Sequence, residues 1–332
     1  MKKTAKYTLI TTICIFILFN GSVIAQETIQ TPVLKHGQLH IEGTKIIDQN
    51  NTPVQLAGMS LFWSQWIGKY YNYDCIKWLK DDWKCSVLRA AMAVGPGGYA
   101  QHPEKEMQKI ETVIDAAIDL GIYVIVDFHE HTAEKYLNEA KTFFAAIAKK
   151  YGDRPNIIYE IYNEPLQISW SDVIKPYSKE VIAAIRQYDP DNIIVCGTPN
   201  WAQKVDEAAL DPIDGKNIAY SLHFYAGTHK KWLMDAGDKA MKKGLCLMVT
   251  EYGTTEANGD GPVYEKETKQ WYKWMDKHKI SHCNWSVSDK KESSATLVPN
   301  AKPEGGWTED QIKPSGKFVR KELAKKYKEL MK

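Results

Sequence analysis

From residue 53 the chain alternates short apolar runs with longer amphipathic ones. The short runs are PVQLAGMS (53–60), SVLRAAM (86–92), YVIVDFH (123–129), IIYEIYNEP (157–165), NIIVCGTP (192–199), IAYSLHFY (218–225), LCLMVTEYG (245–253) and HCNWSVS (282–288). They are rich in Val and Ile and nearly continuous in apolar character, the pattern of strands buried on both faces. Helical periodicity fills the intervals. In PEKEMQKIETVIDAAIDLG, Met107, Ile110, Ile114, Ala117 and Ile118 share one face; Pro103 stands before the start and Gly121 after the end. SDVIKPYSKEVIAAIRQYDP is predicted to open on Ser171 or Asp172 as cap and to close before Pro190. VYEKETKQWYKWMDKHK and GKFVRKELAKKYKELMK supply the last two helices. Eight strand–helix units in this order predict an α/β fold, a single (β/α)8 TIM barrel. The segment HGQLHIEGTKIIDQNNTPV before it reads as a short N-terminal β-hairpin at the barrel floor. A doubly wound open sheet is the alternative, but no GxGxxG follows the first strand and eight units fit closure better.

Residues 1–25 break the pattern. Lys2, Lys3 and Lys6 precede a mostly apolar stretch from Leu9 to Phe19, and Val23-Ile24-Ala25 resembles a signal peptidase site. The stretch is too short for a transmembrane helix. We read 1–25 as a secretory signal peptide that includes Cys14, and 26–332 as one large domain with no appended module and no membrane attachment after processing. The protein is then secreted or periplasmic, and a monomer is expected. Removing the signal takes the formal charge from +2 to about −1, which argues against a nucleic-acid partner. Five cysteines remain, without CxxC or other zinc spacing. Cys196, Cys246 and Cys283 lie in strand-like runs and are expected as buried small hydrophobes. A Cys75–Cys85 disulfide stays open for an exported chain.

In a closed barrel the C-terminal strand ends meet at one mouth, where active sites form. The second run carries Arg89, the third His129, the fourth Asn163 and Glu164, the sixth His223 and Tyr225, the seventh Glu251 and the eighth Trp285. Any one alone reads first as a satisfied polar rim residue; six runs ending in polar or aromatic groups do not. Glu164 and Glu251 form the informative pair, since each ends an apolar run and is followed by a chain-bending residue, Pro165 or Gly253. Two carboxyls facing each other across a mouth suit glycoside hydrolysis, where retaining enzymes hold them about 5–5.5 Å apart and inverting ones farther. Arg89 and Tyr225 are expected to keep one carboxylate ionised, leaving the other with a raised pKa as the acid. Trp66, Trp201, Trp285 and Trp307 sit in loop or strand-end contexts and are expected to stack on sugar rings, while Trp78, Trp83, Trp271 and Trp274 on helical faces are expected in the core.

The motifs LRAAM, YEIYNEP, SLHFYAGTH, VTEYGTT and NWSVSDKKESSATL resemble glycoside hydrolase family 5, in its bacterial endo-β-1,4-glucanase branch, in order from about residue 35 to the C-terminus. That resemblance implies a (β/α)8 barrel, retaining hydrolysis of β-glucan polysaccharide or oligosaccharide, and no cofactor. By position it implies Glu164 as acid/base and Glu251 as nucleophile, Asn163 on the sugar 2-hydroxyl, Arg89 and Tyr225 supporting Glu251, and His129, His223 and Trp285 at other active-site positions. It further implies Trp66, Lys290 and Glu292 on the glycone side and Trp201 on the aglycone side. The chain departs from the family's usual residues at Phe62, where a His is frequent, and at Ala93, Phe128 and Tyr252.

The sequence leaves three alternatives. A family relative acting on mannan, xyloglucan or mixed-linkage glucan would differ only in loop contacts. A metal-dependent barrel hydrolase would use His129 and His131, which share a strand face at i and i+2, but no Lys or Asp set completes such a site. A non-catalytic glucan-binding barrel is disfavoured by the presence of both glutamates.

Overall fold

Each of the eight apolar runs contains a parallel strand, and the strands close into a barrel. The computed structural model describes residue 2 and residues 30–332; the signal peptide expected over 1–25, with Cys14, lies outside the described residues. A short helix α1 (Pro32–His36) leads into the hairpin β1 (His40–Glu42) and β2 (Lys45–Ile47), paired antiparallel. The barrel strands are β3 (Ala57–Leu61), β4 (Val87–Ala93), β5 (Tyr123–His129), β6 (Ile157–Glu160), β7 (Ile193–Cys196), β8 (Ile218–Ser221), β10 (Leu247–Gly253) and β11 (His282–Val287). β11 pairs with both β10 and β3, which closes the ring. A two-residue strand, β9 (Phe224–Tyr225), continues the line of β8 and pairs with the end of β10. Around them lie α2 (Tyr73–Asp81), α3 (Pro103–Leu120), α4 (Leu137–Tyr151), α5 (Lys175–Arg186), the short turns α6 (Pro199–Ala202) and α7 (Val205–Ala208), α8 (Lys231–Lys242), α9 (Glu265–His278) and α10 (Pro314–Leu330).

Helix signals hold with small shifts. Gly121 closes α3 at φ 67°, a left-handed conformation that costs glycine nothing, while Pro103 is the first residue of α3. The cap ahead of α5 is Ser169, whose Oγ accepts from Asp172 N, not Ser171 or Asp172. A π-wound turn (Trp170–Ile174) separates that cap from α5. Within it bonds run five residues back, Ile174 N to Ser169 O at 3.2 Å and Lys175 N to Trp170 O, and Pro176 has no N–H to offer Asp172 O.

The hairpin sits on the N-terminal ends of the strands, as expected. Leu39, Ile46 and Val54 pack with Val87, Tyr123, Ile158 and Val195. Hydrogen bonds fix the seam: Tyr123 Oη donates to Gly37 O at 2.7 Å, and Asn217 Oδ1 accepts from Ile41 N at 2.8 Å. Among the described residues all five cysteines are buried free thiols, so Cys75 and Cys85 do not form a disulfide. Among the described residues no helix is long and apolar enough to cross a membrane.

Candidate active site

Arg89, the third residue of β4, is fully buried and its guanidinium is saturated by the neighbouring strands. Nε donates to Glu160 Oε2 at 2.7 Å, and Nη1 to Glu251 Oε2 at 3.0 Å. Nη2 donates to Asn163 Oδ1 at 2.7 Å and lies 3.0 Å from Asp127 Oδ2. One planar cation thereby ties together the ends of β5, β6 and β10, a fork that an ammonium cannot reproduce.

Glu251 also accepts from Tyr225 Oη at 2.7 Å. Tyr225 ends β9 opposite Gly253, and the glycine is required there: a Cβ on residue 253 would stand 2.1 Å from the Tyr225 ring. The sixth barrel strand breaks at Leu222-His223, where His223 N bonds to Ala202 O rather than to a strand neighbour. The break turns the His223 ring to Glu164: Nδ1 lies 2.9 Å from Oε1. On its other side Nε2 lies 2.8 Å from Thr250 Oγ1, which donates to Glu160 Oε1 at 2.5 Å. His131 Nδ1 approaches Glu164 Oε2 at 3.5 Å. A carboxylate oxygen of Glu164 and one of Glu251 lie within 4.8 Å of each other.

The charge balance differs from the sequence expectation. Burial and the Glu164 charge push Glu251 above the usual carboxylate range, outweighing Arg89, His223 and Tyr225. Burial also opposes ionisation of Glu164, but the hydrogen bond and charge of His223, with His131 and Arg89, hold it below that range. His223, despite burial, is pushed up to about 9 by Glu160 and Glu164. Sequence reasoning gave Glu164 no partner; the structure gives it a histidine.

The mouth is aromatic on one side. Trp285 is buried and stacked on His129, with ring centroids 5.1 Å apart and planes 8° apart. Phe62 packs against Trp285 at 5.1 Å, and Trp63 meets His129 edge-on at 4.1 Å. Trp66, 64 % exposed, packs on Trp63 at 5.0 Å. Lys290 Nζ lies 2.6 Å from Glu292 Oε2 and 5.3 Å above the Phe62 ring. These residues, with Asn163, Glu164, Tyr225 and Glu251, line one cavity of about 200 Å³. A second, of about 260 Å³, is lined by Glu164, Trp201, Gln203, His223, Tyr225 and His229. Trp201 is 39 % exposed, carried by a turn in which Asn200, Trp201 and Ala202 all have positive φ.

The catalytic, supporting and substrate-binding residues expected from the sequence thus gather at one mouth, and two related expectations need correction. Trp307 is buried against Tyr70 and Trp83, with its indole N–H on Lys302 O, so it is a core residue. His129 and His131 do not share a strand face, because β5 ends at His129. His129 Nδ1 bonds to Asp127 Oδ2 at 2.6 Å, and no cluster of three potential metal ligands among the described residues includes either histidine. Phe128 and Tyr252 point into the layer between barrel and helices, against Phe143 and Phe144 and against Phe224 and Tyr272. Of the four departures, Phe62 lines the mouth cavity. Sequence reasoning missed Asp127, Glu160, Thr250 and Trp63. Asp127 and Glu160 carried the signal that exposed Glu164, an acid inside an apolar run.

A family model described as cellulase (glycosyl hydrolase family 5) matches residues 47–291. Endoglucanase A of Evansella cellulosilytica is 48% identical over 276 residues, which cover 82% of this chain and 56% of that protein. The chain therefore spans about half the length of that relative. A solved structure from Cytophaga hutchinsonii is 52% identical with a TM-score of 0.90, over 91% of this chain and 99% of the other. The catalytic domain of a Thermobifida fusca endoglucanase variant, solved in complex with cellotetraose, is 35% identical with a TM-score of 0.85, over 89% and 100%.

Proposed function

The chain belongs to glycosyl hydrolase family 5, and from that premise we propose that it is an exported, monomeric endo-β-1,4-glucanase acting with retention of anomeric configuration. The observation that carries the reading is the separation of the two acids: oxygens of Glu164 and Glu251 within 4.8 Å leave no room for the water that an inverting mechanism places between substrate and base. Relatives named endoglucanases, and one solved with cellotetraose, support a β-glucan substrate.

Glu251 attacks the anomeric carbon while Glu164 protonates the leaving glycosidic oxygen; Glu164 then takes a proton from the water that displaces Glu251. Arg89 and Tyr225 hold Glu251 in line, each donating to a different carboxylate oxygen. Asn163, oriented by Arg89 Nη2, faces the 2-hydroxyl of the sugar being cleaved. Trp66 with the Lys290–Glu292 pair binds the glycone side, and Trp201 stacks on the aglycone side. Trp285, stacked on His129, floors the subsite between them.

Glu251→Gly is expected to lose turnover on barley β-glucan and carboxymethylcellulose by at least about 10³-fold, the scale of losing a covalent nucleophile. Azide should restore part of the activity on an aryl cellobioside and yield a glycosyl azide of inverted configuration. Substantial activity of the variant without azide, or a wild type that releases no sugar from either glucan, would sink the reading. Product profiles on xyloglucan and mannan set the substrate range in the same experiment.

A further inference from the structure

Among the buried groups to which the mechanism gives no role, Thr250 and Glu160 form an unbroken chain through His223 to the acid/base. Glu160 is fully buried and takes two charge-assisted bonds, from Arg89 Nε at 2.7 Å and from Thr250 Oγ1 at 2.5 Å. As a carboxylate it can only accept, so the Thr250 hydroxyl hydrogen is committed to it. The remaining capacity of Thr250 Oγ1 is a lone pair, and it faces His223 Nε2 at 2.8 Å. Nε2 must therefore carry a hydrogen whatever the charge of the ring. This leaves Nδ1, 2.9 Å from Glu164 Oε1, as the titrating nitrogen.

We propose that Thr250 and Glu160 are positioning residues that lock His223 in its Nε2–H form, so that His223 and Glu164 act as one acid holding a single shared proton. The inference rests on Glu164 being the acid/base of the proposed reaction. Its logic is electrostatic. A neutral His223 locked in this way turns a lone pair toward Glu164, and an ionised Glu164 cannot rest against a lone pair. The pair therefore keeps a proton, on Nδ1 or on Glu164, until the solution is alkaline. Without the lock, neutral His223 adopts the Nδ1–H form and donates to an ionised Glu164, and the acid is lost at lower pH. The raised value for His223, about 9, agrees with a pair that holds its proton.

In the first step the shared proton passes by way of Glu164 to the leaving oxygen as the C–O bond breaks and the bond from C1 to Glu251 forms. In the second, water gives that proton back to the pair, and its oxygen bonds C1 as Glu251 leaves. The other charged or titratable groups facing the pair are Arg89, Asp127, His129, Glu251, Tyr225, His131 and His229. Glu160 is the acid that Thr250 Oγ1 joins to His223, and its Oε1 also stands 3.6 Å from Nε2 itself.

The test measures kcat/KM against pH for wild type, Thr250→Val, Thr250→Ser and Glu160→Gln on two substrates. One is a cellobioside whose poor leaving group needs protonation; the other is 2,4-dinitrophenyl cellobioside, whose leaving group needs none. Thr250→Val is expected to move the alkaline limb down by about 1–2 pH units for the first substrate, the worth of a hydrogen bond to a charged group. Its turnover of that substrate near pH 7 should fall about tenfold or more, while the dinitrophenyl substrate changes by less than about threefold. Thr250→Ser keeps the hydroxyl and should behave as wild type. Glu160→Gln offers Thr250 a donor, reverses the hydroxyl and should repeat the shift, which covers a Thr250→Val chain that fails to fold. An alkaline limb unmoved in the soluble variants, or equal losses on both substrates, overturns the inference while leaving the proposed function standing. A wild type that cleaves neither substrate overturns both.

Discussion

At the scale of single residues, Arg89 decides whether the mouth holds together. It is one cation among Asp127, Glu160 and Glu251, all buried beside it. Removing it strands three acids and the Asn163 amide in a low-dielectric site, so Arg89→Met is expected to cost roughly 3–5 kcal/mol of stability as well as turnover. Arg89→Lys keeps the charge but not the fork, and should recover less than half of that loss. Urea unfolding monitored by fluorescence checks both; a wild-type midpoint for Arg89→Met would mean the acids are protonated and need no cation. Arg89, Glu164 and Glu251 were legible in the sequence because each is a charge set in or ending an apolar run. Asp127 and Glu160 gave the same signal, but sequence does not say which charges meet. Their meeting depends on the stagger of β4, β5 and β6, which no single run encodes. For the same reason His223 was legible as a site residue while its pairing with Glu164 was not.

At the scale of elements, the apolar runs located every barrel strand and the hairpin, and what escaped were the places where backbone departs from its run. The run IAYSLHFY gave no sign of a break, yet the break between β8 and β9 is what aims His223 at Glu164. Asn200, Trp201 and Ala202 carry no glycine signature for their left-handed turn, which is held by Asn200 N on Leu166 O and Trp201 N on Pro165 O. Trp307 failed for the complementary reason: its segment is a loop by composition, but that loop folds over Tyr70 and Trp83. The β9–β10 register carries a prediction of its own. Gly253 sits directly opposite Tyr225, and the ring fills the space a side chain would need. Gly253→Ala is expected to push the Tyr225 hydroxyl off Glu251 and cut kcat about 10–100-fold with KM little changed, the value of a hydrogen bond to a charged group. Tyr225→Phe should give a similar loss, and the double variant should lose no more than either single one. Additive losses would show that Gly253 acts on something other than Tyr225.

At the scale of the whole molecule, charge and stability are segregated along the barrel axis. The mouth half holds Arg89 and its acids, whereas the floor half is an apolar cluster of Leu39, Val54, Val87, Ile125, Ile158 and Met248. Outside the mouth other polar side chains are buried too, such as the His36–Asp48 pair at 2.8 Å, and one of them is a histidine with no partner. His282, at the start of β11, is buried between barrel and helices, edge-on to Tyr252 and stacked on Tyr272, and neither ring nitrogen has a hydrogen-bond partner. Burial, with the nearby Lys326 charge, pushes it down to about 3. An unfolded chain has histidines near their ordinary value of about 6.5, so between that pH and about 3 the unfolded state binds a proton the folded state refuses. Stability is therefore lost as pH falls through this window. His223 works in the opposite direction: raised to about 9, it holds a proton that the unfolded chain has already released, and its contribution is lost as pH rises from about 6.5 to 9. The two together place the stability maximum between these windows, near neutral pH. His282→Phe removes the acid-side loss and two unpaired polar atoms while keeping a ring against Tyr272. It is expected to add about 1 kcal/mol at pH 7, and its advantage over wild type should widen steadily as pH is lowered from 7 to 4. Thermal unfolding across that range reads the difference directly. An advantage that stays constant with pH would mean His282 gains a proton as readily in the folded barrel as in the open chain, and that the acid limb of stability belongs to the carboxylates at the mouth instead.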